Sequence, residues 1–187
     1  MTVKGGYLII ISGPSGVGKS TITQELLSSI KNLDFSVSYT TRDKRTMEND
    51  QEHYKFISKD QFEEMVDENL FLEYEQVHGN LYGTPIEPIR ESLRYNHSVL
   101  LDIDVKGASS IINTNHFDSL SIFIKPPSIN ELEKRLIDRN DMRKEDIEQR
   151  IEVATKEILQ SQYFNHMVIN EDFDECLSEV KRIIASL

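Results

Sequence analysis

The sequence predicts an open α/β fold, a mostly parallel sheet with helices on both faces, and three observations carry that prediction. Short continuous apolar runs alternate with stretches of helical periodicity along the chain. The first run, Tyr7 to Ile11, leads straight into GPSGVGKS at Gly13 to Ser20. Between about Phe35 and Tyr82 the rhythm breaks into short strands around one helix, which reads as a small mixed α/β unit inserted into the core.

Tyr7 to Ser12 is apolar at every position but its ends, as a strand buried on both faces requires. Ser20 to Ile30 carries Ile22, Leu26, Leu27 and Ile30 at helical spacing. Ser98 to Asp102 is a second buried strand and ends in an acid; Ser121 to Ile124 is a third, stopped by Pro126 and Pro127; Met167 to Ile169 is a fourth. Helices are expected over 86–95, 105–112, 128–139, 144–161 and 173–185. Inside the inserted unit, strands are expected over 35–41, 53–57 and 72–77, with a helix over 59–68. The polar stretch Arg139 to Arg150 joins two helices and is a second candidate insertion, a lid of the kind that excludes water from a transfer site.

At 187 residues the chain suits one domain with a substantial core. Its net charge of -11, with no long Lys/Arg cluster, argues against nucleic acid or an anionic membrane as partner, because such binding neutralises many phosphates at once. Small phosphorylated ligands need only a few local cations. Cys176, the single cysteine, excludes an intrachain disulfide and falls on the apolar face of the last helix. Tyr7 to Ile11 is too short to span a membrane and has no signal-peptide setting, so a cytoplasmic protein is expected.

GPSGVGKS satisfies G-x-x-x-x-G-K-[ST] between a strand and a helix. Glycines let successive N–H groups turn inward on a polyphosphate, and the helix start adds its positive dipole end. Lys19 can then reach the β- and γ-phosphates and Ser20 can ligate Mg²⁺, so a nucleoside triphosphate is the expected ligand. Asp102, closing its strand, stands at the carboxyl edge where open α/β sheets bind ligands, with Asp104 two residues on. Asp102 can hold Mg²⁺ directly or through water and Asp104 can share the cleft, or the pair merely caps the helix that follows. Arg42 and Arg45 can fork onto one phosphate with Tyr54 adding a hydroxyl, although such a segment in isolation reads equally as a solvated loop. Arg135 and Arg139 are four apart on a helix, which fits an exposed face as well as a phosphate clamp. The five histidines show no metal-ligand spacing.

Taken in order, GPSGVGKS, FSVSYTTR with Arg45, Tyr54-Lys55-Phe56, FLEYEQVHGNLYGT, LLDIDVKGA and RLIDR with Arg150 resemble the guanylate kinases from about Leu8 to Asn170. The resemblance implies a P-loop NTPase-type core over 1–34 and 83–187, a GMP-binding subdomain over about 35–82 and a helical lid over about 139–150. It implies transfer of the γ-phosphate of ATP to GMP with Mg²⁺, by a monomer or homodimer. Gly13, Ser15, Gly16, Val17, Gly18, Lys19, Ser20, Thr21 and Asn170 match the ATP site, and Ser20 with Asp102 the metal site. Arg42, Arg45, Tyr54 and Tyr82 match residues on the GMP phosphate; Ser38 and Thr84 match donors to guanine O6; Glu73 and Asp104 match acceptors for N1 and N2. Lys19, Arg42, Arg139 and Arg150 match the cations on the transferring phosphate, and Arg135 is expected to join them.

Departures mark a divergent member. Lys44, Met47 and Gln51 replace a proline and two glycines of the GMP loop, which predicts a different path there. Lys106 replaces a usual glutamine and Asn140 a glycine. The altered loop leaves open a kinase of the same fold with another nucleotide acceptor, and a further alternative is a non-catalytic module of this family that binds protein.

Overall fold

The computed structural model describes residues 1–3, 5–44, 54–77, 79–114, 116–138 and 143–187. Arg45, Met47, Gln51, Arg139 and Asn140 lie outside the described residues.

Five parallel strands form the main sheet, in the order β2 (Leu33–Phe35), β7 (Ser98–Asp102), β1 (Leu8–Ser12), β8 (Ser119–Lys125), β9 (His166–Ile169). Strand β1 is central and wholly buried, and its period-two side chains feed two cores. Ile9 and Ile11 meet Ile22 and Leu26 of α1 (Lys19–Ser29) and Val180 and Ile184 of α7 (Phe173–Ile184). Leu8 and Ile10 meet Ile89 of α3 (Ile86–Arg94) and Val105, Ala108 and Ile111 of α4 (Val105–Thr114) on the other face. That is why the run is apolar at every position and not at alternate ones. A third cluster, Leu132, Leu136, Ile147 and Ala154, joins α5 (Ile129–Asp138) to α6 (Lys144–Leu159).

The second sheet orders β4 (Tyr54–Phe56), β3 (Ser38–Thr40), β6 (Asn80–Pro85) and β5 (Phe71–Val77), with α2 (Lys59–Asp67) against it. Only the β3–β4 pair is parallel. Ser58 caps α2 through a reciprocal bond with Gln61, and Asn69 and Asn96 take left-handed backbone (φ 55° and 59°) just past α2 and α3. Phe62 of α2 stacks on Phe71 with ring centroids 4.6 Å apart, and Tyr39 meets Phe71 edge-on at 6.0 Å. Gly83 permits this packing: a Cβ there would come within 2.8 Å of the Phe71 ring and 2.9 Å of Phe62.

Two expectations need correction. The run 35–41 is not one strand. Leu33 to Phe35 pairs with β7 in the main sheet, the Ser36 N–H closes that pairing on the Leu100 carbonyl at 3.0 Å, and the chain then enters the second sheet at Ser38. The main sheet therefore has five strands where four were expected. Residues 80–85 form a strand, β6, read beforehand only as scattered site residues. Among the described residues, no helix is long and apolar enough to cross a membrane.

Candidate active site

Each end of one cleft is built by a different sheet. At the first end β1 delivers Gly13, whose φ of 143° and contact with the Ile124 carbonyl leave no room for a Cβ. Gly16 and Gly18 follow at φ 90° and 100°, and Gly18 starts α1 without a side-chain cap. The first N–H groups of a helix lack intrahelical partners, so they are available to an anion in the loop. Lys19 curls over the same loop, donating from Nζ to the carbonyls of Gly13 (2.7 Å) and Pro14 (3.2 Å). The register Ile11 opposite Asp102 sets that acid beside the loop, where it accepts from the Ser20 hydroxyl at 3.2 Å.

The second sheet supplies the other end through its pleat. Ser38 lies opposite Tyr54, Thr40 opposite Tyr82, Glu75 opposite Tyr82, and Glu73 opposite Thr84. Directly paired residues share a face, so Ser38, Tyr54, Glu73, Tyr82 and Thr84 all belong to one side of the sheet. The opposite side carries Tyr39, Gly83 and Tyr74 toward α2. The Arg42 guanidinium lies over the rings of Tyr54 (5.6 Å) and Phe56 (5.4 Å), which holds a cation at this wall. A cavity of about 310 Å³ connects the two ends, lined by Ser15, Lys19, Ser20, Asp102 and Arg150 as well as Ser38, Arg42, Tyr54, Glu73, Tyr82 and Asp104.

Glu73 is the most constrained of these groups. It is 9% exposed, accepts a short hydrogen bond from the Thr84 hydroxyl, and presses so closely on Gly107 that a Cβ there would come within 2.6 Å of Oε2. Burial pushes its carboxyl up to about 7; the Thr84 bond opposes the rise and the charge of Asp104 adds to it. Asp104 itself caps α4, accepting at Oδ1 from the N–H groups of Lys106 (2.8 Å) and Gly107 (3.3 Å), so the capping role weighed for this acid is real and its place in the cleft is additional.

Helix α6 reaches the phosphate loop, with Arg150 donating to the Ser15 hydroxyl at 2.8 Å. Glu157, absent from the sequence reading, lines the same cavity. It follows Arg150 by seven residues, two helical turns, which is the signal that could have found it. Burial pushes its carboxyl up to about 7, against the pull of Lys19.

Four expected site residues, Val17, Thr84, Asn170 and Arg135, do not line the cavity. Val17 and Thr84 are fully buried, the first packed into the core cluster of Ile9 and Ile11 and the second bonded to Glu73. Asn170 is 5% exposed and donates its side-chain amide to the Val17 carbonyl at 2.7 Å. Arg135, expected among the phosphate clamps, donates to the Asn170 carbonyl at 2.9 Å.

The profile described as guanylate kinase matches residues 6–187. A guanylate kinase of Prochlorococcus marinus subsp. pastoris is 45% identical over 179 residues, spanning 96% of this chain and 97% of that one. One from Clostridioides difficile is 42% identical over 186 residues, spanning 100% of this chain and 90% of its own length. Among solved structures, the guanylate kinase of Anaplasma phagocytophilum superposes with a TM-score of 0.81 at 28% identity, covering 98% of this chain and 86% of that one.

Proposed function

This chain belongs to the guanylate kinase family, and from that premise we propose how its cleft divides the work of moving the γ-phosphate of ATP to GMP. The observation that carries the reading is the single cavity with a lysine-bearing phosphate loop at one end and the buried Glu73–Thr84 pair at the other.

At the donor end, the loop from Gly13 to Thr21 cradles the ATP phosphates through its N–H groups, and Lys19 takes the charge between the β- and γ-phosphates. Ser20 and Asp102 suit Mg²⁺: their oxygens lie 3.2 Å apart at the loop's rim, a hydroxyl and a carboxylate that leave other positions for water and phosphate. The ion supplies charge neutralisation on the β- and γ-phosphate oxygens when bound with the nucleotide.

At the acceptor end, Arg42 forks onto the GMP phosphate, with Tyr54 and Tyr82 as hydroxyl donors and Arg45 joining from outside the described residues. Ionised Glu73 accepts from guanine N1–H and N2–H with Asp104 beside it, and Ser38 donates to O6. Thr84 carries one hydroxyl proton, so it gives up Glu73 to donate to O6, and the freed carboxylate oxygen takes a guanine N–H. Adenine offers neither N1–H nor N2–H and would leave both carboxylates unpaired in a buried place. The second sheet with α2, from Ser38 to Pro85 where about 35–82 was expected, serves as the GMP-binding subdomain, and residues of about 139–150 serve as the lid that brings Arg139 and Arg150 onto the transferring group. Positioning and charge neutralisation of a loose, in-line transfer then suffice, with no covalent intermediate.

The test is ADP release with Mg-ATP and each of GMP, dGMP, AMP, CMP and UMP. Turnover with GMP, alone or with dGMP, is expected; turnover only with another acceptor would reassign the base pocket, and none with any acceptor would favour the non-catalytic module.

Protonation of Glu73 sets a pH dependence. Guanine binds the ionised carboxylate, and the free site holds its proton up to about pH 7. GMP affinity is therefore expected to be level above pH 7 and to fall below it toward about tenfold per pH unit. GMP's own phosphate titrates nearby, so the comparison is with Glu73→Gln, which retains only the phosphate's titration. Parallel pH profiles for the two proteins would remove Glu73 from base recognition.

A further inference from the structure

We infer that Asn170 is a positioning residue of the donor site, fixing the phosphate loop from behind through the Val17 carbonyl. The inference rests on the proposed ATP site and concerns how that site keeps its shape.

A loop that turns its N–H groups toward phosphate turns carbonyls the other way, and those buried acceptors need donors from elsewhere. Lys19 serves the carbonyls of Gly13 and Pro14. The Val17 carbonyl is served by Asn170 Nδ2 at 2.7 Å, from 153 residues away in the chain. The neighbour is an acceptor, so the amide must present its nitrogen and not its oxygen. That nitrogen also fills the space beside Gly18, where an added Cβ would come within 2.7 Å of it. Gly18 is the left-handed residue (φ 100°) from which α1 starts, so the contact bears on the turn that aims the first helical N–H groups.

Asn170 is itself held from two further directions. Its backbone N–H donates to the Lys125 carbonyl at 2.8 Å, continuing the β8–β9 pairing. Its carbonyl accepts from Arg135 of α5 at 2.9 Å. One 5%-exposed residue thus joins the end of the main sheet and α5 through its backbone and the phosphate loop through its side chain. The bond is made to the loop backbone through Nδ2 alone, so what it contributes to the loop's shape bears on every triphosphate alike, whatever its base.

The experiment compares wild type, Asn170→Ala and Asn170→Asp for kcat/KM with ATP, GTP and CTP as donors to GMP. It also measures by calorimetry the affinity for inorganic tripolyphosphate, which has no base. All three donors and tripolyphosphate are expected to weaken by a common factor, about ten- to a hundredfold, because a loop no longer held by Asn170 must be ordered into its phosphate-binding shape at each binding event. GMP affinity is expected to hold within about twofold, since its site is built by the other sheet. Asn170→Asp conserves volume and sets a carboxylate against the carbonyl, so it decides the matter even where the alanine variant fails to fold. A loss confined to ATP, with tripolyphosphate unchanged, would overturn the inference and make Asn170 a base reader. Unchanged values throughout would overturn it too. If wild type binds tripolyphosphate but transfers nothing to GMP, the functional reading fails while the calorimetric comparison still judges Asn170.

Discussion

Lys19→Ala is expected to lower kcat by about a thousandfold or more while leaving GMP affinity within about twofold of wild type. The ammonium is anchored to the Gly13 and Pro14 carbonyls, and in the proposed transfer it faces the charge that develops on the transferring group. Removing a preorganised charge from such a site forfeits about 3–5 kcal/mol of transition-state stabilisation. In the proposed assignment GMP binds at the other sheet, through residues paired across β3, β4, β5 and β6, and the side-chain bonds of Lys19 among the described residues go to Gly13 and Pro14. Arginine is not expected to restore turnover, since its planar fork cannot reproduce a compact ammonium seated on two carbonyls. Stopped-flow turnover and equilibrium GMP titration on the same preparation check the split. Equal loss of turnover and GMP binding would mean that the two ends of the cleft are not independent.

What could be read beforehand from the sequence follows from how local each feature is. The phosphate loop was legible because it is contiguous: strand, glycines, lysine and helix start all fall within Leu8 to Ser29. The two-faced core was legible because an uninterrupted apolar run has no other soluble explanation than burial on both sides. The break at Ser36 was not, since Phe35 and Val37 are both strand formers and only pairing with Leu100 decides where the first strand stops. Strand β6 was hidden by Gly83 and Pro85, residues that argue against strands; Gly83 is there to admit two aromatic rings and Pro85 leads into α3. Glu73 had no role by itself, because its role arises from the register that sets it opposite Thr84. Asn170 was assigned to the site only by resemblance, and its bond to Val17 spans 153 residues, a distance at which no spacing rule operates.

Glu73→Gln is expected to make the free protein more stable and its GMP site much weaker. Taking the carboxyl from its ordinary value near 4.5 to about 7 means that folding opposes ionisation, by roughly 3 kcal/mol once both states are fully ionised. The folded state holds the proton more tightly than the unfolded one, so this penalty is absent below about pH 4.5, grows between there and pH 7, and is constant above. A neutral amide removes it. Glutamine has to re-form a bond to the Thr84 hydroxyl, which leaves a net gain of about 1–3 kcal/mol at pH 8, or roughly 2–10 °C in Tm for a chain of this size. The same amide offers guanine one neutral acceptor where a carboxylate offers two charged ones, and it turns N–H toward N–H. GMP affinity is expected to fall by about a hundredfold or more, with ATP untouched. Calorimetric unfolding at pH 5 and pH 8, with GMP titration at pH 8, checks both halves. A Tm gain that is equal at the two pH values would mean burial does not disfavour the charge, and an unchanged GMP affinity would remove the carboxylate from guanine recognition. Both results together would leave Glu73 a packing residue. The expected pattern, stability gained only where the carboxylate is ionised and GMP lost with it, ties the destabilising charge to the recognition of guanine as a single feature of the fold.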